Sequence, residues 1–240
     1  MSSSDLANRA IESSRRLIGI IGKTLPQRRL AHDTNGLLMN YGGWMQAHME
    51  IGIRQWRLDL DPRPEFVAGL NAIEQGIAEA IALNATPRDI DQLNLWIAQP
   101  IAYLMDRTLP VLQGTTGINQ DLPSRTASDL LGDALFDRPY RDQLPALMTA
   151  LGRRKAEHLA LVTAQNQFAL LDAAGDEARI AELAAEGDAL YLRRAKDAYF
   201  EPAIILGGGE DNPIMLDWQL AAILKKVGFK SHSPNLWLWD

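Results

Sequence analysis

Residues Thr34–Leu60 read TNGLLMNYGGWMQAHMEIGIRQWRLDL. Leu37, Tyr41, Trp44, Met45, His48, Met49, Gly52 and Trp56 recur at steps of three and four, the spacing of one face of an α-helix. Two tryptophans, a tyrosine and two methionines on that face predict the centre of a core. Gly36, Gly42, Gly43 and Gly52 share the segment. Each glycine inside a helix costs roughly 1 kcal/mol against alanine. A second helix crossing very close by is the simplest reason to keep several.

Outward from this helix the chain keeps a helical rhythm. Leu6, Ala10, Leu17, Ile18 and Ile21 form a stripe upstream, with Lys23 near its end and Pro26 in the link to the central helix. Downstream, Asp61-Pro62-Arg63-Pro64 is a stop, because prolines do not continue a helix. Phe66, Leu70, Ile73, Ile77 and Ile81 mark a helix over about 65–83. Thr86-Pro87-Arg88-Asp89 reads as an N-cap, a first-turn proline and an acid at the third position. Ile90, Leu93, Ile97, Ile101 and Leu104 follow, and Pro100 predicts a kink or break near Gln99.

Between Arg107 and Ser124 the pattern weakens, which makes 107–124 the best place for a subdivision of an otherwise single helical domain over 1–240. A short helix capped at Thr126 to Asp129 comes next. A long one is expected from Leu144 to Ala173, with His158, Leu159 and Val162 among its inner residues. Ala174-Gly175-Asp176 is a tight turn into a partner helix reaching about Phe200, an antiparallel hairpin. Asn212-Pro213 is expected to cap the last helix, which Lys225, Lys226 and Gly228 end. The tail carries Trp237 and Trp239, apolar enough to dock as core or as interface. No strand run stands out. The fold class is all-α: an irregular multi-helix bundle or helical-hairpin array around a central helix rich in glycine and aromatics.

Composition narrows function. The 240 residues carry a net charge of −6 and a pI of about 5.3, against the basic surface that nonspecific nucleic-acid or anionic-membrane binding needs. Without cysteine there is no disulfide framework, thiolate nucleophile or cysteine metal site. The start, MSSSDLANRAIESSRR, lacks the apolar core of a signal peptide, and no window approaches 18 apolar residues. The expectation is a cytoplasmic protein.

Candidate chemistry is thin. Gly19-Ile20-Ile21-Gly22-Lys23-Thr24 ends like a P-loop, but Leu17 stands where the motif needs glycine, and the stretch closes a helix instead of following a strand. His32-Asp33 resembles the metal-binding dipeptide of HD phosphohydrolases. Only His48, His158 and His232 remain to complete such a site, and no H-x-x-x-H or H-E-x-x-H pair exists. Asp59-Leu60-Asp61 fails as a calcium loop, since Pro64 replaces the glycine and Leu70 the final glutamate. Neither a nucleophile elbow nor a Rossmann fingerprint is present. No catalytic residue, metal or cofactor is assigned, and no enzymatic activity is expected.

Surface character remains. Asp172, Asp176, Glu177, Glu182, Glu186 and Asp188 surround the hairpin turn and the start of its second helix, with Arg179 against them. Acids early in a helix favour its dipole; they also make a docking face for a basic partner. The final helix, Asp211-Asn212-Pro213-Ile214-Met215-Leu216-Asp217-Trp218-Gln219-Leu220-Ala221-Ala222-Ile223-Leu224-Lys225-Lys226-Val227-Gly228, behind a long hairpin, resembles the C-terminal part of some bacterial immunity proteins that neutralise polymorphic or contact-delivered toxins. The resemblance covers the last third of the chain and transfers no functional residue. It implies a non-enzymatic cytoplasmic protein that binds a toxin domain. The alternatives are a helical metal-dependent hydrolase using His32 and Asp33, and a structural or phage-assembly component.

Overall fold

A computed structural model describes residues 3–110, 123–155, 158–195 and 217–231. Among these residues there are ten α-helices, two short 3-10 turns and no strand, so the chain is all-α as its periodicities require. The described residues fall into two compact units, 3–98 with 109–110, and 99–108 with 123–155, 158–195 and 217–231.

The first unit is built on the quoted stretch. Helix α2 (Thr34–Arg57) lies between α1 (Ser3–Leu30) and α3 (Arg63–Ala82) and contacts both along its length. Both neighbours run antiparallel to it: Thr24 meets Asn40 and Ser14 meets Glu50 on one side, while Glu65 meets His48 on the other. Enclosure on two sides explains why Ile51 and Ile53, off the apolar stripe, are as fully buried as Tyr41, Met45 and Met49, whereas Trp44 and Trp56 are only half-buried. The glycines do mark a close crossing. A Cβ on Gly52 would stand 2.4 Å from the Phe66 ring, and α3 answers with Gly69 against Met49 and Gly76 against Tyr41. Gly42 instead makes room for the Gln92 carbonyl, 2.1 Å from its Cβ position. Gly43 meets only an ordinary contact, so packing does not require it.

Two boundaries differ from expectation, each for a local reason. Helix α1 runs through Pro26 to Leu30. The carbonyl that Pro26 leaves without a donor is that of Gly22, exposed and with open space where its Cβ would be, so water reaches it. Asp33 caps α2 by accepting from the Gly36 N–H at 2.9 Å. The run after Thr86 breaks at Asn94 and not at Gln99. Thr86 and Asp89 form the expected capping box of a four-residue helix, α4 (Pro87–Ile90), and a 3-10 turn ends at left-handed Asn94 (φ 53°). Asparagine tolerates that conformation, and α5 (Leu95–Leu104) then carries Pro100 inside it.

The second unit begins within α5, at Gln99, and adds α6 (Pro123–Leu135), α7 (Leu144–Gly152), α8 (His158–Asp172), α9 (Glu177–Ala195) and α10 (Trp218–Val227). The long helix expected over 144–173 is two helices: α7 stops at Gly152, a poor helix residue, followed by Arg153-Arg154-Lys155, whose like charges oppose continuation. His158 therefore lies exposed at the first turn of α8 and is not a core histidine. Asn166 and Gln167 face inward instead, each 5% exposed. Asn166 donates to the Leu183 carbonyl at 3.0 Å, and Gln167 to Gln219 Oε1 at 2.9 Å, so these buried amide donors are matched between helices, while Asn166 Oδ1 has no partner. Helix α10 starts at Trp218 behind an Asp217 cap; Asn212-Pro213 and the tail tryptophans lie outside the described residues.

Two consecutive lysines at the end of α10 close two other helices. Lys225 donates to the Leu104 carbonyl at 2.9 Å and to Asp106 at 2.7 Å; Lys226 donates to the Leu135 carbonyl at 3.0 Å and to Asp137 at 2.8 Å. Asp106 and Asp137 are both left-handed, with φ 54° and 56°, just past the ends of α5 and α6. Each lysine thus meets the unpaired carbonyls and the negative end of a helix dipole.

Candidate functional site

Helices α8 and α9 form the expected antiparallel hairpin, with Gly175 at φ 92° in the turn. Ile180, Leu183, Ala184, Gly187, Leu190 and Tyr191 are buried and define the inner face of α9. Gly187 is required there, because its Cβ would stand 2.9 Å from Asn166 Oδ1 and 3.2 Å from Leu220.

Successive residues turn by about 100°, so the side of α9 opposite the core carries Ala178, Ala181, Ala185, Ala189 and Leu192, all exposed. Glu182 and Glu186 border this ridge on one side, interleaved with the exposed Arg179 and Arg193. Glu177 and Asp188 border it on the other. An exposed, low ridge of small side chains between acids is the geometry of the face; the spacing of the acids was readable, the alanine ridge between them was not singled out.

The structure gives each acid a definite place. Asp172 ends α8, exposed, and pairs with Arg141 at 2.7 Å. Asp176 begins α9: its Oδ1 accepts from the Arg179 N–H at 3.0 Å. Glu177 is exposed in the first turn, where a carboxylate suits the helix dipole. Glu182 is exposed and takes a hydrogen bond from Arg179. Glu186 is exposed and accepts from Asn166 Nδ2 at 3.3 Å. Asp188 is half-buried, the least accessible of the six. Arg141 comes from a 3-10 turn 31 residues before Asp172, and nothing in the local sequence foretells that pairing. Six acids between residues 172 and 188 stand against Arg179, with Arg141 on Asp172 and Arg193 further along α9, so the segment is net negative.

The residues weighed for metal chemistry are elsewhere and otherwise engaged. His32 is exposed with φ 53°. Asp33 caps α2 and pairs with Arg28, and the Gly36 N–H chiefly holds its carboxyl below the ordinary value. His48 is half-buried, its Nδ1 2.7 Å from Glu65. Among the described residues no three His, Cys, Asp or Glu side chains gather as a metal site would need, and no helix is long and apolar enough to cross a membrane.

No protein-family model, curated protein or solved structure matches the chain.

Proposed function

We propose that this chain is a protein-binding module of the immunity type, which docks a basic toxin domain on the outer face of α9. The observation that carries the reading is that face itself: alanines and Leu192 opposite the core, with Glu177 and Asp188 on one border and Glu182 and Glu186 beside Arg179 and Arg193 on the other. Small residues let a partner's backbone approach closely. Carboxylates around them attract a basic surface, speed its encounter and fix its register. The acids are held on a helix tied to α8 and α10 by buried contacts, so the face is presented in one geometry and little ordering entropy opposes binding.

The reading is tested with the protein encoded beside this one. Co-expression with a toxic neighbouring product should restore growth, and the two should purify as a stoichiometric complex. Growth arrest that this chain leaves unchanged, with no complex formed, would count against it. A neighbourhood of metabolic enzymes would direct attention to catalysis.

A further inference from the structure

Behind the hairpin turn lies an open cleft of about 520 Å³, between the ends of α6, α8 and α10 and the segment 137–142. Its volume falls within the range of roughly 300–1,000 Å³ that small-molecule sites occupy. Three cations, Arg138, Arg141 and Lys226, and two carboxylates, Asp137 and Asp142, line it. Two of the cations have work already. Lys226 closes the end of α6 on Leu135 and Asp137, and Arg141 pairs with Asp172.

Arg138 is different. Its Nε and Nη2 are buried and make no hydrogen bond. Asp133 Oδ1 lies 2.9 Å from Nε, but off the N–H direction, so the pair is an ionic contact only. Burial also raises the Asp133 carboxyl against the lowering pull of Arg138, so this carboxylate is a reluctant counter-ion. The guanidinium otherwise lies 5.3 Å over the Phe136 ring. A guanidinium stays charged at any working pH, and its fork of donors matches an oxyanion. Buried donors left unmade in a cleft wall mark a place for an acceptor.

We propose that this cleft binds a small molecule through a carboxylate or phosphate group, with Arg138 as the anchor. The oxyanion takes the guanidinium donors after a small rotation toward the opening. Arg141 and Lys226 are held in ion pairs with Asp172 and Asp137, so Arg138 carries the recognition, and Leu171 and Val227 offer an apolar wall to the rest of the ligand. The site is independent of the α9 face, and either reading stands if the other fails.

The test is an NMR titration of the isotope-labelled full chain with inorganic phosphate and, separately, benzoate, against sodium chloride at matched ionic strength. Saturable shifts of the Ala134, Ala174 and Val227 amides are expected with at least one probe. Phosphate alone would identify a phosphate ligand, benzoate alone a carboxylate. Arg138→Gln should weaken binding at least tenfold, while Arg153→Gln, away from the cleft, should not change it. If Arg138→Gln does not fold, Arg138→Lys, which keeps the charge and loses the fork, should show the same weakening. Shifts that match those of chloride, map away from the cleft or survive the Arg138 change overturn the proposal.

Discussion

Replacing Gly76 with alanine tests the crossing on which the first unit rests. The added Cβ would stand 2.5 Å from Leu93 Cδ2, 2.9 Å from Tyr41 Cβ and 3.1 Å from Tyr41 Cγ. Leu93 and Tyr41 are fully buried. Tyr41 cannot swing aside, because Cβ is fixed to the backbone and the hydroxyl accepts from Arg29 at 2.6 Å. Relief therefore requires α3 to move away from α2. Forcing one methyl into such a site costs about 1–3 kcal/mol, against about 1 kcal/mol gained from better helix propensity. Gly19→Ala makes the same chemical change on α1 with nothing within 4 Å, and should gain about 1 kcal/mol. The pair should differ by about 1–3 kcal/mol, which at about 2–4 °C per kcal/mol for a chain of this size is several degrees in melting temperature. Thermal and urea unfolding followed by circular dichroism read both. Equal stability of Gly76→Ala and Gly19→Ala would refute the close α2–α3 crossing.

Other consequences are as specific. Asp217→Ala removes the cap that receives the Leu220 N–H at 3.0 Å and should cost about 1 kcal/mol in urea unfolding, whereas Asp217→Asn should cost less. Lys225→Met leaves the Leu104 carbonyl and the Asp106 carboxylate without the lysine donor, and hydrogen exchange at the end of α5 should speed up while that of α3 stays unchanged. Acid lability should come partly from helix starts. The carboxyls of Asp33, held low by the Gly36 N–H, and Asp89, held low by Thr86, have folded values below their ordinary ones. Their contribution is full above the unfolded value of about 3.9 and is lost as pH falls through the lower folded values. Asp33→Asn with Asp89→Asn should lower stability at neutral pH and flatten its fall below pH about 4, read by unfolding across a pH series.

The sequence shows what depends on local chemistry and hides what depends on distant partners. The central helix, the capping box at Thr86, the turn at Gly175 and the basic end at Lys225, Lys226 and Gly228 follow from spacing and cap preferences, and each is where those rules place it. Proline misled at α1, which continues through Pro26 with Gly22 exposed, while α5 carries Pro100 inside a helix that starts after the break at Asn94. The inward turn of Asn166 and Gln167 was hidden because their partners, Leu183 and Gln219, lie on other helices. The acids of the hairpin were legible as a charge run. The alanine ridge between them needed the knowledge of which face of α9 is buried, and the pairing of Asp172 with Arg141 needed the fold.

The most direct test of docking on α9 is the association rate of the Glu182→Lys, Glu186→Lys double variant with the basic partner, measured by stopped flow from low to high salt. Both residues are exposed and border the alanine ridge, so the variant should fold, with a small loss of stability from the Arg179–Glu182 and Asn166–Glu186 contacts. Slower association at low salt and a flatter salt dependence are the expected result, because the variant removes the attraction that steers encounter. Equal rates for variant and wild type at low salt would contradict the account and leave these carboxylates as helix-solvating charges only.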